Sequence, residues 1–225
     1  MTSLTTRRPS LTGLSRPRMR GLLHVYGFFA AVGCGTLLVG VAATRPGTAP
    51  AVSTAIYSAT ACALFAVSGL YHRRAWTERG YQVMRRLDHA MIFVFIAGTY
   101  TPLCVLLLDQ AKATALLTIV WAGALAGGGL SVIWPNARRS VFALLYLAMG
   151  WAAVVILPDV AEAGGMAALI LLAVGGIVYS AGAVLFALRR PDPWPAVFGH
   201  HEVFHACTLV AALCHYIAIS LAVFA

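Results

Sequence analysis

The sequence predicts an all-α integral membrane protein with seven transmembrane helices. Of its 225 residues, 60% are hydrophobic and only 10% are charged, whereas a soluble domain carries about 25% charged residues. Seven apolar stretches each approach or exceed the roughly 20 residues that a bilayer requires. Each stretch must be helical, because backbone groups in lipid find no water with which to form hydrogen bonds.

A basic tail precedes the first predicted span. Residues 1–20 contain five arginines and no acidic residue, which predicts a disordered cytoplasmic tail followed by a membrane domain over 21–225. A secretory signal peptide is not expected, because the first apolar stretch is long enough to cross the bilayer. We predict the seven spans at 21–43, 51–72, 88–108, 112–134, 140–158, 166–188 and 200–224.

Polar or proline-containing breaks separate these spans. The longest break runs from Arg73 to Arg86. Small residues within the fourth and sixth spans predict close contacts between helices, and they are Gly123, Gly127, Gly175, Gly176 and Gly182. The other breaks lie at 45–47, 109–110, 135–139, 158–159 and 189–193.

The distribution of basic residues predicts the orientation. Fourteen of the sixteen lysines and arginines lie in the tail and in the connections after spans two, four and six, whereas Arg45 and Lys112 lie on the other side. Because basic connections stay in the cytoplasm, we predict a cytoplasmic N-terminus and a C-terminus outside, in a bacterial-type inner membrane. This pattern accounts for the net charge of +9 without nucleic acid, so membrane lipids are the expected partners.

Three histidines lie at the predicted cytoplasmic ends of two spans. His72 closes span two, while His201 and His205 are four residues apart and share one face at the start of span seven. Ionisable residues at membrane depth are costly and mark functional sites. Three imidazoles and one open position form a ligand set of catalytic zinc. The sequence therefore predicts a Zn²⁺ site on these histidines, with copper, iron and nickel as open alternatives.

Two further polar residues reach the same predicted leaflet. Ser68 lies one helical turn before His72, and Asp88 opens the third predicted span. We predict catalytic roles for both: Asp88 orients or deprotonates a water, and Ser68 bonds that water, Asp88 or a substrate oxygen. The alternatives are an N-cap role for Asp88 and a bond from Ser68 to its own helix backbone.

The other four histidines receive structural interpretations. His24, His89 and His200 are expected to be hydrogen-bonded residues near the membrane interface. His215 lies ten residues beyond His205, which is about 15 Å along a helix and too far to share an ion. We expect His215 to face a cavity in the outer half of the protein or to pack against a polar neighbour.

The segment His201–His205 also reads HExxH, the signature of zinc metalloproteases whose glutamate is the general base. Taken alone, this pattern indicates an intramembrane protease with Glu202 as the base. Two observations count against that hypothesis. His72 already supplies a third ligand, and the segment stands at the start of a predicted membrane helix.

Together these motifs resemble the hemolysin III / progestin-and-adipoQ receptor family of seven-span proteins. The resemblance covers spans two to seven, and the short connections are similar to those of the bacterial hemolysin III branch. It implies a zinc ion held by the three histidines, with Ser68 and Asp88 in the site and the N-terminus inside. The motifs are Ser68-x-x-x-His72, Asp88-His89, Ala97–Pro102, Phe198–His205 and His215-Tyr216.

The resemblance also implies a function. The family is linked to membrane hydrolases, including ceramidase-like activity in adiponectin receptors, and its bacterial members are linked to membrane fluidity homeostasis and haemolysis. The receptors have Gln where this chain has Glu202, which favours Asp88 as the base. We therefore predict a zinc-dependent hydrolase of a lipid amide or ester. A membrane-state sensor or receptor-like protein with a structural zinc and a haemolytic pore-former are the alternatives.

Overall fold

The structure, a computed structural model, describes residues 17–136 and 138–225. Two helices, α5 (Arg139–Trp151) and α6 (Leu157–Ala163), are joined by a 3-10 segment (Ala152–Ile156) and form one span, Ser140–Ala163. Within the described residues, seven spans are thus long and apolar enough to cross a membrane, which confirms the predicted fold class. The elements are α1 (Leu22–Ala42), α2 (Ala49–Arg73), α3 (Glu78–Leu107), α4 (Gln110–Ile133), α5 (Arg139–Trp151), the 3-10 segment (Ala152–Ile156), α6 (Leu157–Ala163), α7 (Gly165–Leu188) and α8 (His200–Phe224).

The third span begins ten residues earlier than predicted. The Thr77 hydroxyl oxygen accepts a hydrogen bond from the Gly80 backbone N–H at 3.2 Å, and this N-cap starts α3 at Glu78. Most of the predicted connection after span two is therefore helix. Asp88 lies in the third turn of α3, so the N-cap interpretation of Asp88 is wrong.

The fifth span extends beyond its predicted end at 158. Pro158 occupies the second position of α6, where a backbone N–H has no partner within the helix. The proline therefore starts a new helical segment instead of ending the span. The span continues to Ala163, which makes it long enough to cross the bilayer.

The most extensive contacts between helices are in the pairs α1–α2, α2–α3, α3–α4 and α7–α8, each made of neighbours in sequence. Helix α3 is the most buried span, and α8 contacts α1, α2, α3 and α7. Large aliphatic side chains such as Ile119, Leu125 and Ile133 are exposed on the outside. This outer surface suits lipid, and the interior is formed around α3 and α8.

Glycines allow several of these close contacts. A Cβ atom on Gly127 would stand 2.4 Å from the Phe93 ring, and one on Gly182 would stand 2.6 Å from Cys207 Cβ. Gly175 packs equally closely against His215. These three positions agree with the packing role predicted for small residues. Gly176 differs, because no described atom outside its own helix lies within 4 Å of an added Cβ.

Residues 17–21 form an N-terminal strap across the end of the bundle where α2 ends and α8 begins. The backbone N–H groups of Arg18 and Met19 donate to the carbonyls of Ala196 and Val197, each at 3.1 Å. Residues 1–16 of the predicted tail lie outside the described residues. These bonds tie the strap to the membrane domain, and the predicted division into a tail and a membrane domain stays a prediction.

Candidate metal centre

The structure brings the three predicted histidines together. One ring nitrogen from each of His72, His201 and His205 lies within 4.8 Å of the other two, and the Nε2 atoms of His72 and His201 are 3.1 Å apart. Two nitrogens bound to one tetrahedral zinc at about 2.0–2.1 Å would stand about 3.3 Å apart. The group could therefore hold a metal ion.

Local structure explains why these side chains meet. His72 lies in the last turn of α2, while His201 and His205 lie one turn apart at the start of α8. The strap passes directly beside His72, where Gly21 has φ +76° and an added Cβ would stand 2.5 Å from His72 Cβ. Only glycine fits this backbone conformation and this approach without strain. The strap therefore packs against one of the candidate ligands.

The three histidines line a polar cavity of about 380 Å³, which Ser68 and Asp88 also line. Ser68 is buried, and its hydroxyl interacts with the Asp88 carboxylate. Other hydroxyls bond their own helix, as Ser58 does to the Thr54 carbonyl at 2.8 Å. The interaction of Ser68 with Asp88 runs between helices, and the role predicted for Ser68 stays a prediction. All five predicted site residues thus face one cavity.

Glu202 has a structural role. Its side chain is fully buried, its Oε1 atom pairs with the Arg20 guanidinium, and its Oε2 atom accepts the Gly199 N–H at 2.8 Å. Glu202 also lies outside the set of described residues that line the polar cavity. Both carboxylate oxygens are engaged in holding the start of α8, so the arrangement does not support the HExxH glutamate as a general base.

His24 differs most from expectation. It lies in the first turn of its span, close to the predicted interface, but its side chain is only 3% exposed and its ring stacks on His205 with centroids 3.7 Å apart and planes inclined by 7°. Neither ring nitrogen makes a hydrogen bond of normal geometry within the described residues, although the His205 backbone lies nearby. His24 also lines the polar cavity. A histidine within a predicted span indicates a functional site, and this is the sequence signal that points to His24.

The remaining histidines are partnered or distant. His89 Nδ1 lies 2.7 Å from the Arg85 carbonyl oxygen, and His200 faces Asp192 at 3.6 Å, in keeping with the hydrogen-bonded or polar surroundings expected of them. His89 also lines the polar cavity. His215 lines a second cavity, which agrees with the first of the two interpretations given for it, that it faces a cavity.

That second cavity, the apolar chamber, has a volume of about 290 Å³. It lies between α3, the fifth span, α7 and α8, and it adjoins the polar cavity through four residues that line both: Phe95, Tyr146, Tyr179 and Thr208. Its apolar lining includes Ile96, Leu103, Leu147, Val154, Leu172 and Ile177. Polar groups and an apolar compartment therefore stand next to each other inside the bundle.

Comparison with known proteins identifies the family. The family model described as "Haemolysin-III related" matches residues 12–216. The chain is 30% identical over 170 residues to Hemolysin-3 of Bacillus cereus, covering 74% of each chain. It is 29% identical to the Hemolysin-3 homolog of Bacillus subtilis (strain 168), covering 70% of this chain and 71% of the relative.

A plant relative extends the comparison. The Heptahelical transmembrane protein ADIPOR2 of Oryza sativa subsp. japonica is 33% identical over 181 residues, which is 73% of this chain and 79% of the relative. Together with the seven spans, the bacterial relatives support a multi-pass protein of the bacterial plasma membrane. The chain belongs to the haemolysin-III related family.

Proposed function

We propose that the chain is a zinc-dependent hydrolase that cleaves an amide or ester bond of a membrane lipid and so serves membrane lipid homeostasis. The observation that carries the proposal is the group of His72, His201 and His205, here called the histidine tripod, which faces a polar cavity that adjoins an apolar chamber. A lipid matches this arrangement, because its polar linkage suits the polar cavity and its acyl chain suits the apolar chamber. The enclosed arrangement supports hydrolysis more directly than pore formation.

Zinc suits the donor set. Three neutral imidazoles with one open position are typical of catalytic zinc, whereas structural zinc has four protein ligands. When bound, zinc supplies Lewis acidity that polarises a carbonyl group and makes water more acidic. His72, His201 and His205 would hold the ion at the wall of the polar cavity.

The chain's own residues would handle the substrate and the proton. The Asp88 carboxylate accepts a proton from water as the water oxygen bonds to the lipid carbonyl carbon. Asp88 then returns the proton to the leaving nitrogen or oxygen as the C–N or C–O bond breaks. The Ser68 hydroxyl holds the carboxylate in place, and the apolar chamber receives the acyl chain.

The first test is metal content, measured by elemental mass spectrometry on detergent-purified protein. We expect about one zinc per chain in the wild type and loss of zinc in His72→Ala and His205→Ala. His200→Ala is the matched control, because His200 neighbours His201 but faces Asp192. A wild type without metal under chelator-free conditions, or full zinc occupancy in both tripod variants, would overturn the site.

The second test is turnover. Purified protein in lipid vesicles is offered labelled ceramides and labelled ester lipids, with release of fatty acid as the readout. We expect release that stops with a chelator and returns with Zn²⁺. A zinc-loaded protein that releases no fatty acid from either lipid class would contradict the hydrolase.

The second candidate is a membrane-state sensor with a structural zinc. The observation that favours it is the position of Asp88 in the same cavity, because a carboxylate ligand there would close the coordination shell. X-ray absorption of the zinc protein separates the two functions. An Asp88→Asn variant with an unchanged spectrum supports the open site, whereas loss of one protein ligand supports the structural one.

A further inference from the structure

His24 and His205 form a face-to-face stack inside the membrane domain. Their ring centroids are 3.7 Å apart and their planes differ by 7°. His24 also makes an edge-type contact with the Phe65 ring, with centroids 5.2 Å apart and planes inclined by 64°. Both histidines are almost completely buried, at 3% and 2% exposure. Helix α1 thus places one ring directly against a candidate metal ligand.

The stacking geometry argues against His24 as a ligand of the same ion. The lone pair of an imidazole nitrogen lies in the plane of its ring, so an ion bound by His205 lies in the His205 plane. That plane is separated from the His24 plane by close to the 3.7 Å of the stack, whereas a Zn–N bond is about 2.0–2.1 Å. His24 therefore acts on His205 and not on the ion.

His205 needs such a neighbour. A histidine that binds a metal through one ring nitrogen normally donates from the other to a carboxylate, a carbonyl or a water, and this bond fixes the ring. When His205 binds through Nε2, the atom that His72 and His201 present to each other, the orienting bond falls to Nδ1. Nδ1 of His205 is buried and makes no hydrogen bond to any described residue.

We propose that His24 is a positioning residue for the metal centre, whose stacked ring replaces the hydrogen bond that usually orients a metal-binding histidine. Aromatic stacking holds a ring by contact over its whole face. The contact of α1 with its neighbours is close, because an added Cβ on Gly27, three residues after His24, would stand 2.6 Å from Leu209 Cδ2. The inference rests on the proposed metal site and goes beyond it by assigning α1 a part in that site.

The experiment measures affinity for Zn²⁺ by chelator competition and the visible spectrum of the Co²⁺-loaded protein. The variants are His24→Leu, which removes the ring, and His24→Phe, which keeps a stacked ring and removes both nitrogens. His89→Leu is the matched control, because His89 lines the same cavity without contributing to the tripod. We expect His24→Leu to weaken zinc binding about 10–100-fold, the usual effect of losing an orienting partner, and to change the Co²⁺ spectrum.

We expect His24→Phe and His89→Leu to keep affinity and spectrum close to the wild type. The proposal is overturned if His24→Leu binds as tightly as the wild type with the same spectrum, or if His24→Phe is as impaired as His24→Leu. If His24→Leu does not fold, His24→Asn, which has no ring, takes its place with the same expectations. A wild type that binds neither metal overturns the metal site itself, which is a separate outcome.

Discussion

Arg20 and Glu202 form an ion pair that joins the N-terminal strap to the first turn of α8 across 182 positions of sequence. The Glu202 side chain is 1% exposed and the Arg20 side chain 22%. Glu202 also accepts the Gly199 N–H, and it lies between the two tripod histidines of α8. The strap is therefore connected to the candidate metal centre through a buried carboxylate.

Breaking this pair is expected to destabilise the protein. Arg20→Gln leaves a buried carboxylate without its cation, and removing one partner of a buried ion pair costs about 3 kcal/mol. We expect the double variant Arg20→Gln/Glu202→Gln to regain most of that stability, because no unpaired charge remains. Unfolding of the detergent-solubilised protein measures both. A double variant as unstable as Arg20→Gln would contradict the pairing.

Gly21 offers a second test of the strap. Gly21→Ala adds a Cβ 2.5 Å from His72 Cβ at a backbone φ of +76°. Gly47→Ala is the matched control, because Gly47 has φ +78° and no described atom within 4 Å of its added Cβ. Each variant is expected to lose about 1–2 kcal/mol of stability from the left-handed backbone. Only Gly21→Ala is expected to weaken zinc binding as well, which chelator competition measures; equal zinc affinity in both variants would argue against the contact.

The meeting of His72 with His201 could be predicted although 129 positions separate them. Hydropathy shows where each span begins and ends, and the arginines show which end of each span is cytoplasmic. Two histidines at cytoplasmic span ends therefore lie in the same leaflet. Seven spans and the grouping of Ser68 and Asp88 with the histidines follow from the same reasoning.

The stack of His24 on His205 could not be predicted in this way. Helix α1 is apolar on all sides, so its sequence does not show which face turns inward, and rotation about the helix axis decides whether His24 meets lipid or His205. Arg20 lies in a basic run that resembles a solvated tail, and its pairing with Glu202 depends on a tertiary contact. Helix α3 starts earlier than predicted because charged residues, which are typical of a connection, here continue the helix from Glu78.

Variants of Asp88 and Glu202 show which of the two carboxylates acts as the general base. Asp88→Asn is expected to keep zinc and to lower the rate of lipid hydrolysis about 10²–10⁴-fold, the usual contribution of a positioned base. The double variant Arg20→Gln/Glu202→Gln is expected to hydrolyse at close to the wild-type rate, because Glu202 is engaged in the ion pair and the Gly199 bond. Zinc content and fatty-acid release are measured on the same preparations. A zinc-loaded double variant as slow as Asp88→Asn would restore the HExxH interpretation.

The apolar chamber should set the length of the acyl chain that the protein accepts. Gly176 lines the chamber, and no described atom outside its own helix lies within 4 Å of a Cβ added there, so Gly176→Leu can fill the space without a clash at the helix surface. Gly129→Leu is the matched control: its added Cβ is equally free of described neighbours, but Gly129 lies on α4, which does not line the chamber.

We expect Gly176→Leu to slow hydrolysis of long-chain lipids more than of short-chain analogues, because the added side chain occupies the volume that the end of a long chain needs. Gly129→Leu is expected to leave the ratio of the two rates unchanged. The readout is the ratio of kcat/KM for a long-chain and a short-chain substrate, which cancels any general loss of folded protein. An equal fall for both chain lengths in Gly176→Leu would mean that the acyl chain lies elsewhere.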